Sequence, residues 1–283
     1  NAQWAVSLGR KGLAKCEEKH GCDSPEVGRM LNILALACGD NGEYQVQREL
    51  LERSCALYAR IFGKLHITVG TTLSILADAY RGLGDYNMQI SVAQQALEIE
   101  EAFYGKNHIH IVDTLANLAS AHRSLGEFKK QKVLLERAFT IDEQTHGNDH
   151  INLAGILVNL ADAHGNLGDY NKQKQLLMRA VSMKERAFGP DHIQVASALV
   201  NLACANANLG EYQDQKKLLH RALIIKEREF GSEHLNVVAT LRNLADAHSH
   251  AGEYQIQYEY LSRALKIVQR EFHHDHIEEA ITL

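Results

Sequence analysis

Residues 157–170 read LVNLADAHGNLGDY, and this pattern recurs along the chain at a fixed spacing of 42 residues. The equivalent stretches 115–128, 199–212 and 241–254 read LANLASAHRSLGEF, LVNLACANANLGEY and LRNLADAHSHAGEY. One glycine of the pattern recurs six times, at Gly42, Gly84, Gly126, Gly168, Gly210 and Gly252, and an aromatic residue always follows two positions later. A second glycine series runs through Gly21, Gly63, Gly105, Gly147, Gly189 and Gly231. Self-similarity at a period of this size indicates a repeat architecture.

One unit, residues 105–146, shows how each repeat is organised. Apolar residues recur at helical spacing on either side of a short break around Gly126. Asn107 is the expected N-cap of the first helix, Gly126 the expected turn residue, and Phe128 the expected start of the second helix. Each unit is therefore predicted to be an antiparallel pair of helices, each of roughly 15 to 18 residues.

The predicted fold class is all-α, an α-α superhelix of about six stacked helix pairs. A single helix pair cannot bury its apolar face, whereas stacked pairs share a continuous core in which each repeat contacts only its neighbours. The chain has only two prolines and 6% aromatic residues, which favours long helices over a sheet protein. First helices are expected to line a concave face.

The domain prediction is a single repeat array over residues 1–283 that continues beyond both ends of the sequence. Residues 13–14 align with residues 55–56 of a second helix, and Leu283 aligns with the middle of a first helix. Natural arrays end in polar capping units, and neither end of this sequence resembles one. We therefore expect a window on a longer protein.

Composition restricts the classes of function. The formal net charge of −5 leaves no basic stripe for nucleic acid, and no apolar run reaches the length of about 20 residues that spans a bilayer. The five cysteines form no CxxC pair, which favours reduced thiols in an intracellular, cytoplasmic setting. No nucleophile, phosphate-binding or zinc-protease motif is present, so we predict neither an enzyme nor a bound cofactor.

The pattern L-x-N-L-A-x-A-[YH]-x-x-L-G-[DE]-[YF], followed by a second amphipathic helix, resembles the tetratricopeptide repeat. The 42-residue period, with G-x-x-H between units, is similar to the long-helix variant of kinesin light chains. The resemblance implies a right-handed superhelix that acts as a scaffold or adaptor in protein binding. Two departures stand out besides the period. Isoleucine or leucine replaces the proline after the inter-repeat histidine, and glutamine replaces the small residue of the second helix at Gln47, Gln89, Gln131, Gln173, Gln215 and Gln257.

In this family the position before the Leu-Ala pair lines the groove, and the resemblance places three sets of side chains there. These sets are Asn117, Asn159, Asn201 and Asn243; Asp78, Asp162 and Asp246 three positions further on; and Arg81 and Arg123. An asparagine side chain can both donate to and accept from a peptide backbone. We predict a binding surface for a peptide or partner protein with some basic or amide-rich character. The alternative is that these residues are only the solvated faces of amphipathic helices.

Histidines and glutamines receive structural interpretations, with no metal site predicted. His66, His108, His150, His192, His234 and His276 are expected to bond the loop backbone at the starts of first helices, and His122, His164 and His248 to fill the seam between helices. The glutamine series is expected to make local bonds between helices because a buried amide needs partners. The competing function is a permanently assembled structural subunit whose edges or convex face carry the contacts.

Overall fold

The computed structural model describes residues 2–272, which form thirteen α-helices and one 3-10 turn and contain no strand. The first helices of the six repeats are α2 (Pro25–Asp40), α4 (Ile67–Gly82), α6 (Val112–Ser124, preceded by the 3-10 turn Ile109–Ile111), α8 (Ile151–Asn166), α10 (Ile193–Asn208) and α12 (Leu235–His250). The second helices are α3 (Tyr44–Phe62), α5 (Tyr86–Tyr104), α7 (Phe128–His146), α9 (Tyr170–Phe188), α11 (Tyr212–Phe230) and α13 (Tyr254–Phe272), and α1 (Ala2–His20) precedes them. His276 and Leu283 lie outside the described residues.

The turn inside each repeat forms as the glycine series predicts. Gly168, for example, has a φ of 82°, a left-handed conformation that costs glycine little. The amide of Asp169 bonds the carbonyl of His164 at 2.9 Å and closes the end of α8. The carboxylate of Asp169 then accepts from the amide of Lys172 at 3.2 Å and caps α9. The turn between the two helices is therefore encoded locally.

Histidines cap four of the six first helices, and the predicted cap at Asn107 is wrong. The Nδ1 atom of His108 accepts from the amide of His110 at 3.3 Å, and His66, His192 and His234 make the equivalent bond. Each ring also stacks on the residue that ends the preceding helix, as with Phe188 and His192 at 4.9 Å between centroids. The aromatic stack fixes the imidazole where it can cap the helix, which explains why histidine replaces the expected asparagine.

The chain divides into two compact units, residues 1–145 and residues 146–283. In unit 1, Leu76, Ala77 and Val92 belong to a core shared by the first three repeats. In unit 2 the side chains of Leu199 and Leu219 are no more than 1% exposed. A core around Leu241 joins the last two repeats. Within each unit a second helix packs against the first helix of its own repeat and against that of the next.

In four of the six repeats an exposed ion pair links the end of the second helix to the loop at the start of the same repeat. Arg186 bonds Asp149 at 2.9 Å, and the equivalent pairs are Arg60–Asp23, Arg228–Asp191 and Arg270–Glu233. The second repeat has Leu65 and Ala102 at these two positions, and the third has Asn107 and Gln144. Both partners are therefore present or both are replaced, which indicates that the two positions are matched within each repeat.

Candidate partner-binding surface

The structure places every predicted site residue on a first helix and outside the buried core. Asn159, Asn201, Asp246, Arg81 and Arg123 are exposed, whereas Asn117, Asn243, Asp78 and Asp162 are half-buried. The Leu-Ala pair beside each asparagine is buried, so the packing of the helix turns the asparagine away from the core. We call the four asparagines the Asn row.

In unit 1 the predicted site residues lie on α4 and α6. Asp78 bonds Arg81 at 3.0 Å within α4, so part of its charge is already neutralised. Asn117 on α6 stands where α4 has Ile75, and α4 and α6 contact one another. The equivalent position on α2 holds Ile33, which is 50% exposed, so this face is more apolar towards α2.

In unit 2 the same face is richer in amides than the sequence prediction stated. Asn152 and Asn166 lie seven residues before and after Asn159 on α8, and both are exposed. Seven residues are two helical turns, so all three side chains share one face. Asn208 on α10 and Asn236 on α12 extend the same pattern. The signal for this face is present in the sequence as a seven-residue spacing of asparagines within α8, α10 and α12.

Acidic charge borders this amide surface in unit 2. Cys204 on α10 reaches the surface beside Asp246 of α12. Desolvation by the surrounding protein raises the pKa of the Cys204 thiol, and the negative charge of Asp246 raises it further. The thiol is therefore held in its neutral form, and the surface here presents amides and carboxylates.

A glutamine of the second-helix series bonds one of the first helices that carry the Asn row. Gln89 on α5 is fully buried and donates to the main-chain carbonyl of Asn117 at 3.1 Å. The structural interpretation of this series is confirmed at Gln89, because the bond joins the second helix of one repeat to the first helix of the next. Gln173 lies so close to Gly165 that a Cβ there would approach its amide to 2.5 Å. Glycine at 165 therefore leaves the room that the Gln173 amide occupies.

Second helices deliver charged side chains to the first helices, which the sequence prediction missed. Glu100 is buried and accepts from the Thr114 hydroxyl at 2.7 Å, and desolvation raises the pKa of its carboxyl. At the equivalent place in unit 2, Lys226 donates to Thr240 at 2.9 Å, and desolvation lowers the pKa of its ammonium group. Lys184 occupies this position one repeat earlier, 3.5 Å from Gln194. The charge that a second helix places against a first helix is therefore negative at Glu100 and positive at Lys184 and Lys226.

The three seam histidines are buried as predicted. His122, His164 and His248 are 7%, 6% and 7% exposed. Each Nδ1 atom contacts the acidic residue of the following turn, which is Glu127, Asp169 or Glu253 respectively. These histidines thus join the end of a first helix to the turn that leads into the second helix.

Stacked antiparallel helix pairs of constant length define an α-helical repeat protein. The chain belongs to the tetratricopeptide repeat family, whose sequence profiles match residues 68–130 and 153–214, and residues 111–152 and 195–236. The family is in general a protein-interaction and scaffold fold rather than a catalytic one, and its members bind proteins or peptides. A comparison with curated proteins finds no match.

Solved structures of the same fold include proteins related to kinesin light chains. The nearly identical TPR-like repeats of a Podosopora anserina kinesin light chain candidate are 23% identical, with a TM-score of 0.64, 73% of this chain covered and 98% of that chain. BtubC (BKLC) from P. vanneervenii is 20% identical with a TM-score of 0.70, and the match covers 82% of this chain and 94% of that chain. The apo form of RapI is 15% identical with a TM-score of 0.70, and the match covers 96% of this chain and 93% of that chain. These likenesses confirm the all-α fold of tetratricopeptide solenoids. No helix within residues 2–272 combines the length and apolar character needed to cross a membrane.

Proposed function

We propose that this chain is a protein-interaction module that binds an extended peptide or a partner segment along the face of unit 2 that carries Asn159, Asn201 and Asn243. The observation that carries the proposal is the repetition of an unburied asparagine at one position of the first helices, with further exposed amides two turns away in unit 2. An extended backbone presents donors and acceptors at regular intervals, and an amide side chain satisfies either kind.

Charge defines the preferred partner further. Asp162 and Asp246 border the amides of unit 2, and the nearby thiol of Cys204 is kept neutral. Opposite charge on the partner favours encounter and register, whereas a second acidic group is repelled. The proposed ligand is therefore a peptide with basic or amide-rich side chains rather than an acidic C-terminus.

The test begins with a peptide library displayed on phage and selected against the whole chain. Selected peptides are then titrated by calorimetry against a variant carrying Asn159→Ala, Asn201→Ala and Asn243→Ala. Each lost hydrogen bond is worth about 1 kcal/mol, so three together should weaken binding on the order of 100-fold.

The chain provides a matched control on the opposite helices of the same repeats. Asn171, Gln213 and Gln255 are exposed amides on α9, α11 and α13, and replacing all three with alanine should leave affinity unchanged. Equal affinity of both triple variants for every selected peptide would refute the proposal and favour contacts through the edges or second helices. An Asp162→Lys, Asp246→Lys variant tests charge separately, because it should weaken basic peptides selectively.

A further inference from the structure

The junction between the last two described repeats brings Lys216, His220, His248 and Glu253 close to one another. Lys216 on α11 bonds both oxygens of Glu253, at 3.1 and 3.0 Å. His248 on α12 contacts the same carboxylate through its Nδ1 atom. His220, one turn after Lys216, lies with its ring centroid 6.1 Å from that of His248 and 6.1 Å from that of Tyr260 on α13.

His248 is the buried member of this cluster. Its Nδ1 atom contacts Glu253, and its Nε2 atom has no hydrogen-bond partner among the described residues. His220 reaches the surface at one side of the cluster and faces His248 at the other.

The preceding junction has the same frame without the titratable pair. There Lys174 bonds Glu211, as Lys216 bonds Glu253. Met178 stands in place of His220, Asn206 in place of His248, and Leu218 in place of Tyr260. In unit 1, His122 contacts Glu127, but Ile90 and Gln94 take the places of Lys216 and His220. Of the three junctions compared, that of α11 with α12 and α13 is the one that adds a second imidazole, His220, beside a lysine, a histidine and a glutamate.

We propose that this junction is an acid-sensitive joint, at which protonation of His220, one helical turn from Lys216 and beside His248, loosens α12 and α13 from α11. Lys216 is already cationic, so a proton on His220 places like charge within the cluster. The remaining charges nearby are Glu259, Arg263 and Glu227, and Arg263 is paired with Glu227. The carboxylate of Glu253 is already engaged by Lys216 and His248.

Titration of His220 acts in the direction that the proposal requires. Desolvation, followed by the charges of His248 and Lys216, lowers the pKa of His220 below its ordinary value. A histidine whose pKa is lower in the folded state binds more protons after opening, so stability is present above about pH 6.5 and falls as the pH drops below it. The pKa of Glu253 is lowered by its bonds to Lys216 and His248, so this carboxylate stays charged through the same range.

Hydrogen exchange of the whole chain, measured by mass spectrometry at pH 7.5 and pH 5.5 and corrected for intrinsic rates, tests the proposal. Amides of α12 and α13 should open at least about threefold more readily at pH 5.5 than at pH 7.5, whereas α4 and α5 should change less. A His220→Met variant, which copies Met178 of the preceding junction, should lose this additional response.

The matched control is His250→Asn, which copies Asn208 and removes a histidine that stacks on Tyr212 outside the cluster. It should retain the response of the original chain. His220→Met is itself a mild change, because Met178 is 53% exposed at the equivalent place. An acid response of α12 and α13 that is the same with and without His220 overturns the proposal.

Discussion

Replacing Gly28 with alanine should destabilise the first repeat, although alanine is normally the better helix former. Gly28 lies inside α2, and a Cβ built there would be 2.6 Å from the Cζ atom of Tyr58 and 2.7 Å from its Cε1 atom. Ordinary contacts of this kind are 3.4 Å or longer, so the ring would have to move by nearly 1 Å. Tyr58 is 7% exposed and packs against Val69 and Ile99, so it cannot move without disturbing its neighbours.

Two opposing effects set the magnitude of this change. Overpacking a core costs about 1–3 kcal/mol, whereas alanine gains about 1 kcal/mol over glycine within a helix. The net loss for Gly28→Ala is therefore about 1 kcal/mol. Gly155 on α8 is the matched control, because it is exposed and its Cβ would meet no atom within 4 Å, so Gly155→Ala should gain about 1 kcal/mol.

The assay is urea unfolding followed by circular dichroism, fitted with a nearest-neighbour model because repeat arrays need not unfold in two states. A double-mutant cycle isolates the contact. In the sixth repeat the equivalent pair is Val238 and Val268, both buried, so Tyr58→Val should make alanine at position 28 tolerable. The reasoning is refuted if Gly28→Ala and Gly155→Ala stabilise the chain equally, or if the cycle shows no coupling.

Three further predictions concern a cap, an ion pair and a thiol. His192→Ala should lower the free energy of unfolding in urea by about 1 kcal/mol, because His192 caps α10 by accepting a 3.2 Å bond from the amide of Gln194. His192→Asn should retain the cap. Equal losses for the two variants would contradict this. A Leu65→Asp, Ala102→Arg variant copies Asp149 and Arg186 into the second repeat. Its free energy of unfolding should rise by less than about 1 kcal/mol, and the rise should vanish in about 1 M salt. A rise that is independent of salt would exclude an ion pair. Burial raises the pKa of the Cys55 thiol to about 12. At pH 8, alkylation followed by mass spectrometry should therefore label exposed Cys22 well before Cys55. Faster labelling of Cys55 would contradict its burial.

Features that depend on local sequence were predictable, and features that depend on a neighbouring repeat were less so. The turn at Gly126 and the helix that starts at Phe128 follow from residues within a few positions of one another, and both are confirmed. The cap at His108 was missed because the preference for histidine arises from stacking on Tyr104 of the preceding helix. Intrinsic capping preference alone favoured Asn107.

The candidate site divides in the same way. The position of the Asn row outside the core follows from helical periodicity, because each asparagine precedes a buried Leu-Ala pair. The partner of Gln89 could not be identified from sequence, since it is a main-chain carbonyl 28 residues later in the next repeat. Likewise the cluster of Lys216, His220 and His248 forms only when three helices pack, so no spacing within one helix reveals it.

The bond from Gln89 to the carbonyl of Asn117 bears on how this protein can be divided and rebuilt. A first helix receives support at its asparagine from the second helix of the repeat before it, not from its own partner in the hairpin. The transplantable module is therefore a second helix together with the first helix that follows it. Grafts or truncations cut at the turn glycines, such as Gly84 and Gly126, should keep a first helix together with the second helix that supports it, whereas cuts at the inter-repeat glycines should separate the two.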